Sequence, residues 1–173
     1  PHMIVLVPTD AEKSTNWFRL IHQSGIPVIG SNLSPEMDAY QYLLSWTGPD
    51  DWRQVRMLAG KFAELMDSNG GYCILQHMKG SSAYNSRTHG YLTELNKIAP
   101  AMECLALEES QLSRDVSKQI ILNLLKQYGD KLKGIISPDD SDVLLGVNDA
   151  ITQMGRSDII TVSSGNSKIG MSC

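Results

Sequence analysis

Residues 71 to 107 read GYCILQHMKGSSAYNSRTHGYLTELNKIAPAMECLAL. The stretch holds one complete strand–helix–strand unit. "GYCILQ" is a short unbroken apolar run. "YNSRTHGYLTELNKI" has helical character and stops before Pro100. "MECLAL" is a second apolar run. Strands that are apolar on both faces belong in a parallel sheet covered by helices, not in a half-solvated antiparallel one. Arg87 is out of keeping with simple packing. It lies three residues before Gly90-Tyr91, in the first turns of the predicted helix. A helix that only packs on a sheet has no need of it, whereas a helix whose start faces a polar ligand does.

The same unit repeats in both directions. Ahead of it lie the apolar runs "IVLV" (Ile4 to Val7) and "IPVIG", separated by "AEKSTNWFRLIHQ" with Gly25 as its stop. "YQYLLSW" is apolar and aromatic enough for a strand. From Pro49 to Met66, residues Val55, Leu58, Ala59, Phe62 and Leu65 fall on one helical face. Behind the unit, "ESQLSRDVSKQIILNLLKQYG" predicts a helix with Leu112, Val116, Ile120 and Leu124 on one stripe, ended by Gly129. "KGIIS", "SDVLLGVNDAITQMG" and "DIITVS" continue the alternation as strand, helix and strand. The expected fold class is α/β, a parallel sheet with helices on both faces. Ligands of such sheets bind beyond the carboxyl ends of the strands. The segments to inspect are therefore Pro8 to Asp10, Ser31-Asn32, Thr47 to Asp51, His77 to Arg87, Glu108 to Gln111, Pro138 to Asp142 and Ser163 to Asn166. All are polar, although polar loops and helix caps need no ligand to explain them.

Composition narrows the function classes. A chain of 173 residues makes one ordinary domain or two small lobes with a real core. A net charge of −4 argues against a direct nucleic-acid partner, which calls for a basic face. No apolar run approaches the roughly 20 residues that cross a bilayer. Pro1-His2-Met3 has the character of expression-vector residue and is left out of the fold reading. Cys73 and Cys104 sit in apolar runs and read as buried small hydrophobes; with Cys173 they form no CxxC pair. The four histidines have no metal-ligand spacing. GxGxxG, GxxxxGK[ST] and GxSxG are all missing, so neither a cofactor nor enzymatic chemistry is expected. Asp139, Asp140 and Asp142 follow a strand and precede a helix, where carboxylates cap free N–H groups. That reading is stronger than a metal cluster.

Six motifs in order carry a resemblance: "VLVPTD", "GIPVI", "AGKFAEL", "YCILQHMKGSSAYNSRTHGY", "GIISPDDSDVLLGVNDAI" and "SDIITVSSGN". Together they resemble the type I periplasmic binding proteins of the ribose/galactose group, whose core the lactose-repressor-like regulators share. The likeness runs from residue 4 to 166. It implies two lobes closing on a small ligand, usually a sugar, with a partial first lobe over 4–46 and a nearly complete second lobe over 47–173. It also implies a periplasmic or extracytoplasmic location. The partner is a membrane transporter for ABC-type uptake or a sensor kinase, with the effector-binding core of a transcription regulator as the alternative.

The resemblance also names ligand residues. Arg87 matches an arginine that reaches a sugar hydroxyl or ring oxygen. Asp140 lies at or beside a ligand-contacting Asn/Asp position. Asn32 matches a position that is usually Asp. Trp46, with Trp52 and Tyr84, offers an aromatic face for a sugar ring. Asp50 and Asn166, from two other carboxyl-edge loops, complete the candidates. Two departures count against an ordinary hexose or pentose: Val7 stands where sugar binders often have Asn, and Gly165 where they often have Asp. Relatives also begin with a further strand–helix–strand–helix unit and return to the first lobe after "SSGN". An excised fragment or a shortened relative is therefore expected, with a homodimer or a complementing partner chain covering the exposed sheet.

Overall fold

The structure is a computed structural model that describes residues 1–172; Cys173 lies outside the described residues. Its strands form two parallel sheets. The first contains β1 (Ile4–Leu6), β2 (Val28–Ser31) and β3 (Ser45–Thr47), in that order. The second contains β4 (Gly70–Gln76), β5 (Met102–Glu109), β6 (Leu132–Ser137) and β7 (Ile160–Ser163), in the order β5-β4-β6-β7. The helices are α1 (Ala11–Gln23), α2 (Asp51–Leu65), α3 (Ser82–Ile98), α4 (Arg114–Tyr128) and α5 (Asp142–Met154).

The second sheet is covered on both faces, and this is why its strands are continuously apolar. In β4, Tyr72 and Ile74 point to one core with Val55 and Phe62 of α2 and Tyr91 and Leu95 of α3. Cys73 and Leu75 point to the other core, with Ile121 and Leu125 of α4 and Val147 of α5. Successive side chains alternate across a strand, so burial on both sides demands apolar residues at every position. α2 and α3 approach closely at Gly90, where a Cβ would run into the Val55 side chain. That approach sets the starts of the two helices side by side.

The first sheet is covered on one face, in line with the partial first lobe expected. Phe18 of α1, Val28 and Ala39 form its core, with Ile4 and Leu6 packed against them. Among the described residues nothing covers the opposite face, and Val5 is 64% exposed. The "YQYLLSW" strand is corrected. Met37–Tyr42 is a 3-10 turn, and only Ser45–Thr47 is extended. The turn places Ala39 at full burial and packs Tyr42 and Leu43 onto Phe18 and Val28. Burial of those residues overrides the strand preference of the aromatics.

α4 begins later than its apolar stripe suggests. Glu108 and Glu109 pair with Leu75 and Gln76 and extend β5, and the Ser113 hydroxyl caps the helix by accepting from Val116 N. Leu112 is thus in a loop with φ +50°, outside the helix. Leu65 ends α2 half exposed, off the buried stripe. Cys73 is fully buried and Cys104 half-buried, as small hydrophobes.

Candidate ligand-binding cleft

The carboxyl ends of β1, β2, β3 and β4 open into one cleft of about 670 Å³. Three helix starts border it: Ala11 and Glu12 of α1, Asp51 and Trp52 of α2, and Ser82, Asn85 and Ser86 of α3. Asn32 with Ser34 to Met37 closes one side. Trp46, Gly48, Pro49 and Asp50 close another. Two hydrogen bonds join the loops of the two sheets beside the cleft. Ala11 N donates to Gly80 O at 2.9 Å, and Ser34 N donates to Ser82 Oγ at 2.9 Å.

Local chemistry fixes the walls. The Trp46 indole N–H donates to Leu33 O at 2.9 Å, which holds the ring in place. Gly48 passes so close to Asn32 O and the Trp46 ring that any Cβ there would collide with both. Asn32 takes φ +67°, a conformation open to asparagine at modest cost, and its N–H donates to Thr47 O. The Asp50 carboxylate accepts from Arg53 N and caps α2, and Ser81 Oγ accepts from Tyr84 N and caps α3.

The structure sorts the six candidates into two groups. Asn32, Trp46 and Asp50 line the cleft. Arg87, Asp140 and Asn166 do not. Arg87 lies behind Asp51. Its Nε and Nη2 both donate to Asp51 Oδ1, at 3.1 and 2.9 Å, and Nη1 donates to Pro138 O at 2.7 Å. The Asp51 side chain is 9% exposed and that of Arg87 17%. All three donor nitrogens are thus taken up by the protein, and Asp51 presents the pair to the cleft.

Asp140 faces the C-terminal segment. Its Oδ2 accepts from Ser167 N at 2.6 Å, and Gly165 and Gly170 pack against its carboxylate with no room for a side chain. Asn166 is exposed on that segment. Asp139 has the capping role expected of this run, accepting from Ser141 N and Val143 N at the start of α5.

His77 contacts Ser81 of the cleft wall and lies near Arg87. Ser81 Oγ donates to Met78 O at 2.7 Å, so the 3.0 Å contact between His77 Nδ1 and Ser81 Oγ has the ring nitrogen as donor. Burial, then the nearby Arg87 charge, pushes the His77 pKa below its ordinary value, against the opposing pull of Asp139 and Asp51. Burial raises the Tyr91 hydroxyl well above its ordinary range.

Sequence reasoning passed over Asp51, Glu12, Glu36 and the serines of α3 as individual ligand residues. Asp51 and Ser81 to Ser86 lie within the carboxyl-edge segments the strand pattern picks out, so the signal was position rather than residue type. Trp52, nominated only as an aromatic by type, also lines the cleft.

Comparison with known proteins agrees with this architecture. A family model described as "Periplasmic binding protein domain" matches residues 1–171. No curated protein sequence matches the chain. Among solved structures, an ABC transporter solute binding protein from Agrobacterium vitis with bound D-fucose superposes with a TM-score of 0.91 at 16% identity, over 99% of this chain and 58% of that one. An arabinose binding protein from Geobacillus stearothermophilus gives 0.80 at 19% identity, over 99% and 57%. An ABC transporter solute binding protein from Bacillus halodurans with bound myo-inositol gives 0.84 at 19% identity, over 92% and 54%. The chain therefore spans a little over half the length of these neighbours. With a family match along nearly its whole length and a cleft at the carboxyl ends of its strands, the chain belongs to the periplasmic binding protein family.

Proposed function

We propose that this chain is the binding module of a periplasmic solute-binding protein, that its cleft takes a small hydroxylated molecule such as a sugar or polyol, and that the protein hands it to an ABC-type transporter. The observation that carries the reading is the cleft itself. It joins one indole face held by its own hydrogen bond, Trp46, to a wall of oxygen-bearing side chains, Asn32, Asp51, Ser34 and Ser82. A sugar presents an apolar ring face and a rim of hydroxyls that need partners once they lose water, and such a site supplies both. The neighbours described as ABC transporter solute binding proteins favour uptake over a sensor kinase or a transcription regulator. The two sheets act as the two lobes, with the change of lobe near Trp46 and Thr47. Asp51 makes the ligand contact that the sequence assigned to Arg87, and Arg87 positions it. The bare face of the first sheet is the surface on which a second copy of the chain packs.

A thermal-shift screen against neutral sugars and polyols tests this. A ligand that binds only the folded chain at a hundred times its Kd adds about 2.7 kcal/mol of stability and raises Tm accordingly. At least one member of the panel is expected to do so. No shift from any of them would overturn the reading.

A further inference from the structure

Every ionisable side chain that lines the cleft is a carboxylate. Glu12 comes from α1, Glu36 from the loop after β2, and Asp50 and Asp51 from the start of α2. Among the described residues, no lysine, arginine or histidine lines it. Asp51 is balanced from behind by Arg87, and Asp50 is engaged in capping α2. Glu12 and Glu36 are exposed and have no ion-pair partner among the described residues. Three helix starts border the cleft, and their positive ends alone would favour an anion. Two of those starts are already offset by carboxylate caps, Asp10 on Lys13 N in α1 and Asp50 on Arg53 N in α2. The third is capped by Ser81. What remains along the cleft is negative charge and the indoles of Trp46 and Trp52, and an indole also attracts a cation.

We propose that the cleft selects a cationic, amino-substituted polyol, with an amino sugar as the simplest member, and that it rejects anionic sugars such as uronates and sugar phosphates. This rests on the cleft being a polyol site and adds the charge of the ligand to it. The hydroxyls meet Asn32 and Asp51. The ammonium lies on the side of Glu12, at the start of α1, and Glu36, in the loop after β2.

The test is calorimetric titration with matched neutral, amino and uronate forms of glucose and galactose, at a pH where the amine is protonated, in about 0.02 M and about 0.5 M salt. Ion pairs at a partly exposed site change affinity by up to roughly fivefold to tenfold. The amino form is expected to bind tighter than the neutral form by about that factor at low salt, with the uronate weakest. The gap should shrink at high salt, where the screening length falls to a few ångströms. Glu36→Gln combined with Glu12→Gln is expected to bring the amino-to-neutral ratio close to one, and the ratio is the quantity to read. A uronate that binds as well as the neutral sugar, or an amino form that binds no tighter, overturns the inference while leaving the polyol site standing. If no member of the series binds, the inference fails for these hexoses, and the polyol reading stands or falls separately with the wider thermal-shift panel.

Discussion

Asp51 and Arg87 decide how the cleft works at the scale of single residues. Arg87 spends its Nε, Nη1 and Nη2 on Asp51 and Pro138, so its removal strands a carboxylate that is only 9% exposed. Breaking a fully buried pair costs about 3–5 kcal/mol. This one keeps some solvent, and Arg87→Ala is expected to cost about 2–3 kcal/mol of stability in urea unfolding. A double-mutant cycle with Asp51→Asn should return a coupling of at least about 1 kcal/mol, and additivity would contradict the pairing.

His77 gives a pH signature. Its folded pKa lies below the unfolded value, so near and below pH 6.5 the unfolded chain binds more protons and stability rises with pH. Its contribution should be constant above about pH 7.5 and fall as pH drops through the unfolded value of about 6.5. His77→Gln should flatten the pH 5–7 part of the unfolding curve, and an unchanged slope would show that another group sets it. The sequence marked Arg87 as unusual but not its partner. Asp51 lies 36 positions away and is reached only because α2 and α3 meet closely at Gly90.

Elements explain which readings of the chain were within reach. Continuous apolar runs identified six of the seven strands because burial on two faces leaves a plain signature. "YQYLLSW" failed because the first sheet has one covering helix, and Ala39 and Tyr42 fold in as a 3-10 turn to help cover its core. Asn32 and Asp50 reach the cleft by the rule of carboxyl ends, and Trp46, nominated as an aromatic, lines it with them. Asp140 and Asn166 do not, because the segment after β7 packs onto Asp140, which no local pattern foretells. The loop after β3 carries the sharpest element-level prediction. Gly48 leaves no space for a Cβ beside Asn32 O and the Trp46 ring. Gly48→Ala should therefore tilt the indole, shift the tryptophan emission and weaken ligand binding by about tenfold, at the scale of an aromatic contact. Wild-type emission and affinity in this variant would mean that the loop yields without moving the ring.

The whole molecule has one covered sheet and one half-covered sheet. Val5, 64% exposed, and Val7, 41% exposed, lie on or beside the bare face of the first sheet. Bare sheet faces and edges tend to pair with other chains. Sedimentation at tens of micromolar should show a species heavier than 19.1 kDa that Val5→Lys reduces to the monomer. A monomer in both would contradict the packing of a second copy there.

On this reading the ligand sits at the carboxyl ends of β1 to β4, against Trp46, Asn32 and Asp51. A crystal structure with the tightest-binding sugar or amino sugar of the panel tests it most directly. Ligand density is expected in this cleft, with a hydroxyl within hydrogen-bonding distance of Asp51. Density in the shallow depression at the opposite edge of the second sheet, between Asp67, Gly70 and Lys131, with the cleft left to water, would contradict it.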